Sequence, residues 1–123
     1  MARSISKNLV SAEKFKESIQ VLPLVSIDLC LLSGSSILLG KRNNKPAKDW
    51  WFTPGGRILK GEPLAAAINR ISNDELGLCS KVLLGNGVLL MGAWDHFYDN
   101  SAFDDSISTH YVNLPHYCII KPT

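Results

Sequence analysis

The stretch GGRILKGEPLAAAINRISNDELGL, residues 55–78, decides how this chain folds. Two adjacent glycines open it and Gly77 stands next to its end. Gly61 or Glu62 suits a helix cap, Pro63 the first helical position, and Gly77 the place just past the last turn. Leu64, Ile68 and Ile71 follow one another at spacings of four and three, and Glu75 extends that line by four more. At helical periodicity the first three form an apolar stripe and Glu75 continues it. A carboxylate on a buried line needs a partner, because an unpaired buried charge is costly. Three fates are open to Glu75: emergence into solvent, a salt bridge to an arginine, or a cation held beside Gly55-Gly56. Asp74 lies on the adjacent flank. Glycines let backbone approach a ligand closely. Magnesium commonly takes one or two carboxylates and completes its shell with water and substrate phosphates.

Outward from this stretch, SAEKFKESIQ (11–20) reads as a short amphipathic helix with Ser11 as its N-cap. LVSIDLCLL (24–32) reads as a buried strand, SGSS as a turn, and ILLGKR (37–42) as the return strand of a hairpin. Residues 43–56 form a long polar and aromatic loop, of a length that is often functional. Residues 82–94 read as a strand broken near Gly85-Asn86-Gly87, and HFYDNSAFDDS (96–106) as a polar loop. STHYVNLPHYCII (108–120) begins as a strand and meets Pro115. Strands around one strong helix predict an α+β fold with a mixed sheet. The expected organisation is one domain over 1–123, with 1–20 as an N-terminal extension.

Of the 123 residues, 46% are hydrophobic and 20% charged, an ordinary globular balance. The net charge of +2 gives no argument for nucleic-acid binding, although Lys41, Arg42, Lys45 and Lys48 form a local basic cluster. Cys30, Cys79 and Cys118 are odd in number and widely spaced, which predicts reduced thiols in a cytoplasmic protein and no zinc site. MARSISKNLV lacks an apolar signal region, and VLPLVSIDLCLL is broken by Pro23, Ser26 and Asp28, so no membrane partner is expected.

The pattern G-x5-E-x7-R-E-U-x-E-E-x-G-U, with U aliphatic, defines the Nudix box. Gly56, Glu62, Arg70, Glu75, Gly77 and Leu78 stand in its register, while Ile71, Ser72 and Asp74 depart from it. The chain thus resembles the Nudix hydrolases, and the resemblance implies a mixed sheet packed against the box helix. Beyond the box it is similar to the GDP-mannose mannosyl hydrolase subgroup, which breaks the sugar C1–O bond with inversion and releases GDP. The matching blocks are PLVSIDL (23–29), LLGKRNNKPA (38–47), WFTPGGR (51–57), WDHFYDN (94–100) and THYV (109–112).

The resemblance implies that the Gly55 carbonyl and the Glu75 carboxylate hold a single magnesium ion, with Asp74 as a further candidate ligand. It implies that Asp28 contacts the sugar, and that Arg42 and Arg57 grip the diphosphate and help GDP leave. A guanidinium suits that task because it binds phosphate oxygens bidentately and keeps its proton. Arg70 is expected to orient the site, His96 to lie near it, and Tyr111 to reach the nucleotide across a homodimer interface. Trp50, Trp51 and Trp94 either stack on a base or sugar or fill the core. The chain ends at Thr123, where the resemblance implies a further helix carrying a glutamine ligand and a histidine base. The C-terminal part is therefore expected to be shortened, and His96 and His110 match the base by residue type only. Apolar surface left bare there predicts self-association through Phe103, Tyr117, Ile119 and Ile120. The expected activity is magnesium-dependent hydrolysis of a nucleotide sugar, GDP-mannose first. Pyrophosphatase cleavage and binding without turnover are the alternatives.

Overall fold

A computed structural model describes residues 11–41, 51–77, 87–100 and 106–120, with Lys41 described in its backbone only. Arg42, Lys45, Lys48, Trp50, Leu78, Cys79 and Phe103 lie outside the described residues. The strands are β1 (Leu24–Ser33), β2 (Ser36–Ile37), β3 (Gly40–Lys41), β4 (Trp51–Phe52), β5 (Gly55–Arg57), β6 (Leu89–Leu90), β7 (Trp94–Tyr98) and β8 (Thr109–Ile119). The helices are α1 (Ala12–Val21) and α2 (Leu64–Leu76).

Alternation along β1 organises the sheet. Ile27, Leu29 and Leu31 are buried on one face, and Ser26, Asp28 and Cys30 therefore point to the other. β1 runs parallel to β8 from Leu24↔Tyr111 to Leu32↔Ile119. On its outer side β1 takes two short antiparallel partners end to end, β5 beside Ser26–Asp28 and β2 beside Leu32–Ser33. β8 does the same with β7 and β6. β3 and β4 pair separately, Gly40 with Phe52 and Lys41 with Trp51. The predicted return strand at 37–42 is thus divided. Its first residue pairs with β1, and Gly40–Lys41 turns away to β4.

Helix α2 covers the apolar face. Ala67, Ile68 and Ile71 join Ile27, Leu29, Leu31 and Cys118 in one core. The buried stripe includes Ser72, which is fully buried, whereas Leu64 is 48% exposed. This corrects the expected stripe: the buried side of the helix begins at Ala67, and Leu64 at its start lies outside it. The helix packs closely because β5 carries glycine there: a Cβ on Gly56 would lie 3.2 Å from Ile71 Cγ1. Pro63 is the N-cap rather than the first helical residue, and its carbonyl accepts from the Ala67 N–H at 2.9 Å. Gly77 ends the helix at φ 66°, a left-handed conformation that favours glycine. Ser11 caps α1 as expected, accepting from the Lys14 N–H at 3.2 Å.

Two further expectations change. His96, Phe97 and Tyr98 belong to β7 and not to a loop, since each pairs with β8. β8 also runs through Pro115 to Ile119. In a strand the N–H and C=O of one residue face the same side. The Pro115 carbonyl accepts from Met91 N–H at 2.8 Å, so its missing donor would also face the gap where β7 gives way to β6. The proline therefore costs no ladder bond with β1.

The buried register of α2 predicts unequal alanine substitutions. Ile71→Ala should cost roughly 2–5 kcal/mol and Leu64→Ala under about 1 kcal/mol, read from urea unfolding midpoints. Equal losses would contradict the assigned face.

Candidate functional site

Strand register collects polar residues on the face away from α2. Ser26 pairs with Arg57 on β5 and Asn113 on β8, and Asp28 pairs with Gly55 on β5 and Pro115 on β8. Trp94, His96 and Tyr98 pair with Asn113, Tyr111 and Thr109, so they share that face. Asp28, Gly55, Arg57, His96 and Tyr111, five of the residues singled out from sequence, are thus brought to one surface.

Asp28 sits low in this surface. A Cβ on Gly55 would collide with the Asp28 carboxylate and with the Ile27 carbonyl, so only glycine fits opposite it. Asp28 Oδ2 accepts from Asn113 Nδ2 at 3.2 Å, and Asn113 Oδ1 accepts from Ser26 Oγ at 2.8 Å. Burial pushes the Asp28 carboxyl above its usual range, opposed by hydrogen bonds from the Thr53 and Asn113 side chains and by the charge of His96. Among the described residues no lysine or arginine forms an ion pair with it.

Arg57 lies at the α1 side of the same face. Its guanidinium carbon is 4.5 Å from the centre of the Phe15 ring, a cation–π arrangement. Burial lowers its pKa, Tyr111 opposes that shift, and Arg70 adds to it. The group keeps its proton in any case, because arginine starts so high. Tyr111 meets Tyr98 edge-on at 6.3 Å between ring centres.

Arg70 points from α2 back to the loop before it. Nε donates to Glu62 Oε2 at 2.8 Å, and Nη2 donates to Glu62 Oε1 at 3.0 Å and to the Arg57 carbonyl at 2.8 Å. Glu62 Oε1 also accepts from the Leu59 N–H at 3.1 Å. This fork ties the loop from Arg57 to Glu62 onto the helix. Asp74 lies 4.0 Å from Arg70 Nη1.

Glu75 and Asp74 are both exposed on the last turn of α2. Glu75 stands one turn beyond Ile71, about 6 Å along the axis from the contact with Gly56. At the helix end Glu75 is exposed and, among the described residues, forms no salt bridge to an arginine. Among the described residues no group of three or more His, Cys, Asp and Glu side chains forms a metal-binding cluster. The donors singled out from the sequence are the Gly55 carbonyl and the neighbouring carboxylates of Asp74 and Glu75 on the last turn of α2. That is chemistry for a hard cation whose shell a ligand completes.

Other candidates separate from this face. His110 Nε2 lies 2.9 Å from Asp95 Oδ1, and its ring stacks on Phe97, all on the α2 side of the sheet. His116 is buried on that same side, with Nδ1 2.8 Å from the Leu114 carbonyl. Trp51 and Trp94 are exposed. Arg42 and Trp50 lie outside the described residues. Cys30 and Cys118 are free thiols. Sequence reasoning missed Ser26, Asn113 and Phe15. The parity of Ser26 with Asp28 was visible, but which strand lies beside them was not.

The fork predicts the acid limb of stability. The hydrogen bond from Arg70 is the main force holding the Glu62 carboxyl below its ordinary 4.5, against the opposing effect of burial. Folding thus favours the ionised form. Its contribution is complete above about 4.5 and is lost as the pH falls through the lowered folded value. Glu62→Gln should flatten the fall of the urea midpoint as the pH drops below about 4.5. An unchanged slope would remove this role.

The NUDIX domain family model matches residues 22–118. The low-salt glycan biosynthesis protein Agl8 of Haloferax volcanii is 39% identical over 90 residues, covering 73% of this chain and 54% of that protein. The ADP-ribose pyrophosphatase of Methanocaldococcus jannaschii is 35% identical over 83 residues, covering 65% of this chain and 49% of that protein. The chain therefore spans about half the length of these curated relatives. The crystal structure of a MutT NUDIX hydrolase from Burkholderia pseudomallei superposes with a TM-score of 0.64 at 26% identity, covering 80% of this chain and 67% of that one. The NUDIX domain of Shewanella oneidensis NrtR, crystallised with ADP ribose, gives a TM-score of 0.59 at 16% identity, a likeness of fold, covering 100% and 73%. With the box in register and the box helix packed on a mixed sheet, the chain belongs to the Nudix family.

Proposed function

We propose that this protein is a magnesium-dependent hydrolase of a nucleotide sugar, most specifically of GDP-mannose, acting at the sugar C1. One observation carries the reading: Asp28 and Arg57 share one face of the sheet beside Gly55, while Ile71 is taken into the core. A fixed cation grips the anionic half of such a ligand, and a half-buried carboxylate accepts from the hydroxyl-bearing half. Ile71 occupies a box position where the family pattern has glutamate, and at 1% exposure it offers no ligand. The donors left suit one cation better than several. The relatives named for glycan biosynthesis and for ADP-ribose cleavage are in keeping with a ligand that joins a sugar to a nucleoside diphosphate.

In this reading the Gly55 carbonyl and the Glu75 carboxylate, with Asp74 beside it, would hold magnesium, which when bound supplies positive charge to the diphosphate. Arg57, with Arg42, takes up negative charge on the diphosphate as the bond from C1 to the departing oxygen breaks. Water forms the new bond to C1, and His96, on the Asp28 face, is the group we assign to accept its proton. Arg70 holds the Arg57 carbonyl and so positions that loop. Tyr111 is assigned to the nucleotide, and the working form to a cytoplasmic homodimer. No helix among the described residues is long and apolar enough to cross a membrane. Of the residues expected at a self-contact, Ile119 is 54% exposed whereas Ile120 packs against the core, and Leu89, Leu90, Met91 and Phe97 are further exposed apolar residues.

A second reading, pyrophosphatase cleavage, is favoured by the adjacent exposed carboxylates Asp74 and Glu75. Incubation with GDP-mannose and magnesium distinguishes the two. Free mannose and GDP support attack at carbon, whereas mannose phosphate and GMP reject it. Glu75→Gln should lower turnover by about a hundredfold, the scale of losing about 2.7 kcal/mol, and Asp74→Asn by much less. Equal losses would favour the pyrophosphatase. Size-exclusion chromatography with light scattering should return twice the mass of one chain, and a clean monomer would remove the homodimer.

A further inference from the structure

In the row Ser26–Asn113–Asp28, Ser26 and Asn113 are buried beside the half-buried Asp28 and have no assigned task, although they lie at the centre of the polar face. Asn113 is 3% exposed and Ser26 is 9% exposed. The Ser26 hydroxyl donates to the amide oxygen of Asn113 at 2.8 Å, which turns the amide nitrogen towards Asp28 Oδ2 at 3.2 Å. The opposite amide orientation would set two acceptors face to face when Asp28 is ionised. The row therefore fixes the plane of the Asp28 carboxylate, and Thr53 supplies a second hydrogen bond. An ionised carboxylate offers about four acceptor positions, so two protein donors leave acceptor capacity for a ligand. With no arginine or lysine among the described residues paired to it, that capacity suits an uncharged donor and repels a phosphate oxygen.

We propose that Asn113 is a positioning residue that holds Asp28 as the acceptor for a sugar hydroxyl, so that the Ser26–Asn113–Asp28 row sets preference for the sugar half of the ligand. This rests on the nucleotide-sugar reading above. Arg57 and Asp28 then sort the two halves by charge: the guanidinium takes the diphosphate, and the carboxylate takes the hydroxyls and excludes phosphate. Asn113 acts only through Asp28, and Ser26 only through Asn113. The row differs from a purely structural hydrogen bond in one measurable way. Its loss must affect the sugar contribution to binding and leave the diphosphate contribution alone.

Calorimetry with GDP and with GDP-mannose, each in magnesium, measures that difference directly. The wild-type protein should bind GDP-mannose more tightly than GDP. Asn113→Ala should reduce that ratio by about tenfold, the scale of one hydrogen bond to a charged group, while GDP affinity stays within about twofold. In an Asp28→Asn background the same substitution should change the ratio little, because the group it positions is gone. Ser26→Ala, which keeps the amide in place, should give a smaller loss of the ratio, and Ser26→Thr, which restores the hydroxyl, should recover it. Circular dichroism checks folding, and the Ser26 pair carries the test if Asn113→Ala does not fold. A ratio unchanged by Asn113→Ala overturns the positioning role and leaves the nucleotide-sugar reading intact. Equal losses for GDP and GDP-mannose overturn it in favour of a structural role. Wild-type protein that binds neither compound overturns the nucleotide-sugar reading, and this inference with it.

Discussion

The parallel pairing of β1 with β8 is the constraint on which the rest depends. It runs over nine residue pairs, from Leu24↔Tyr111 to Leu32↔Ile119. In one register it sets Ile27, Leu29 and Leu31 against α2 and leaves Asp28 and Ser26 beside Asn113 on the other face. A slip of one residue in β1 would exchange those faces, burying Asp28 under the helix and exposing Leu29. Two strands distant in sequence thus supply both the core and the candidate site. Each face helps to fix the register of the other, since apolar burial and the Ser26–Asn113 bond favour the same alignment.

The departures from the family box take on physical meaning in this frame. Ile71 packs against Gly56, where β5 has no side chain, and brings helix and sheet close together. Ser72 is fully buried next to it. A carboxylate at position 71, where the box has glutamate, would have to leave water for this interface, at a cost that an unpaired charge cannot recover. The box helix of this chain is therefore a packing element over most of its buried side. Its carboxylates are kept at the last turn, where Glu75 is exposed and Asp74 lies 4.0 Å from Arg70 Nη1.

Support for the glycine loop comes from two directions. Arg70 holds it from the helix side through Glu62 and the Arg57 carbonyl. Phe15 faces the Arg57 guanidinium from α1, a helix that lies before the residues matched by the family model. A bidentate fork and an aromatic face restrict a guanidinium and its loop without consuming every donor. Arg57 is thereby restrained from both sides within the fold.

Local signals were enough for the parts of the fold that are local. The box register, the Gly77 terminus, the Ser11 cap and the alternation of β1 are all properties of adjacent residues. They named the family, the helix and most of the candidate residues, including Asp28, Gly55, Arg57 and Glu75. Periodicity alone misjudged the buried face of α2, because Leu64 and Ile71 are equally apolar and only tertiary packing separates them. It also treated His96 as a loop residue and Pro115 as a strand end. Both depend on which partner strand lies alongside, and on where β7 gives way to β6. The Ser26–Asn113–Asp28 row lay furthest from view. Its members are separated by 85 and 87 positions in the chain, and only tertiary pairing of β1 with β8 brings their side chains within hydrogen-bond distance.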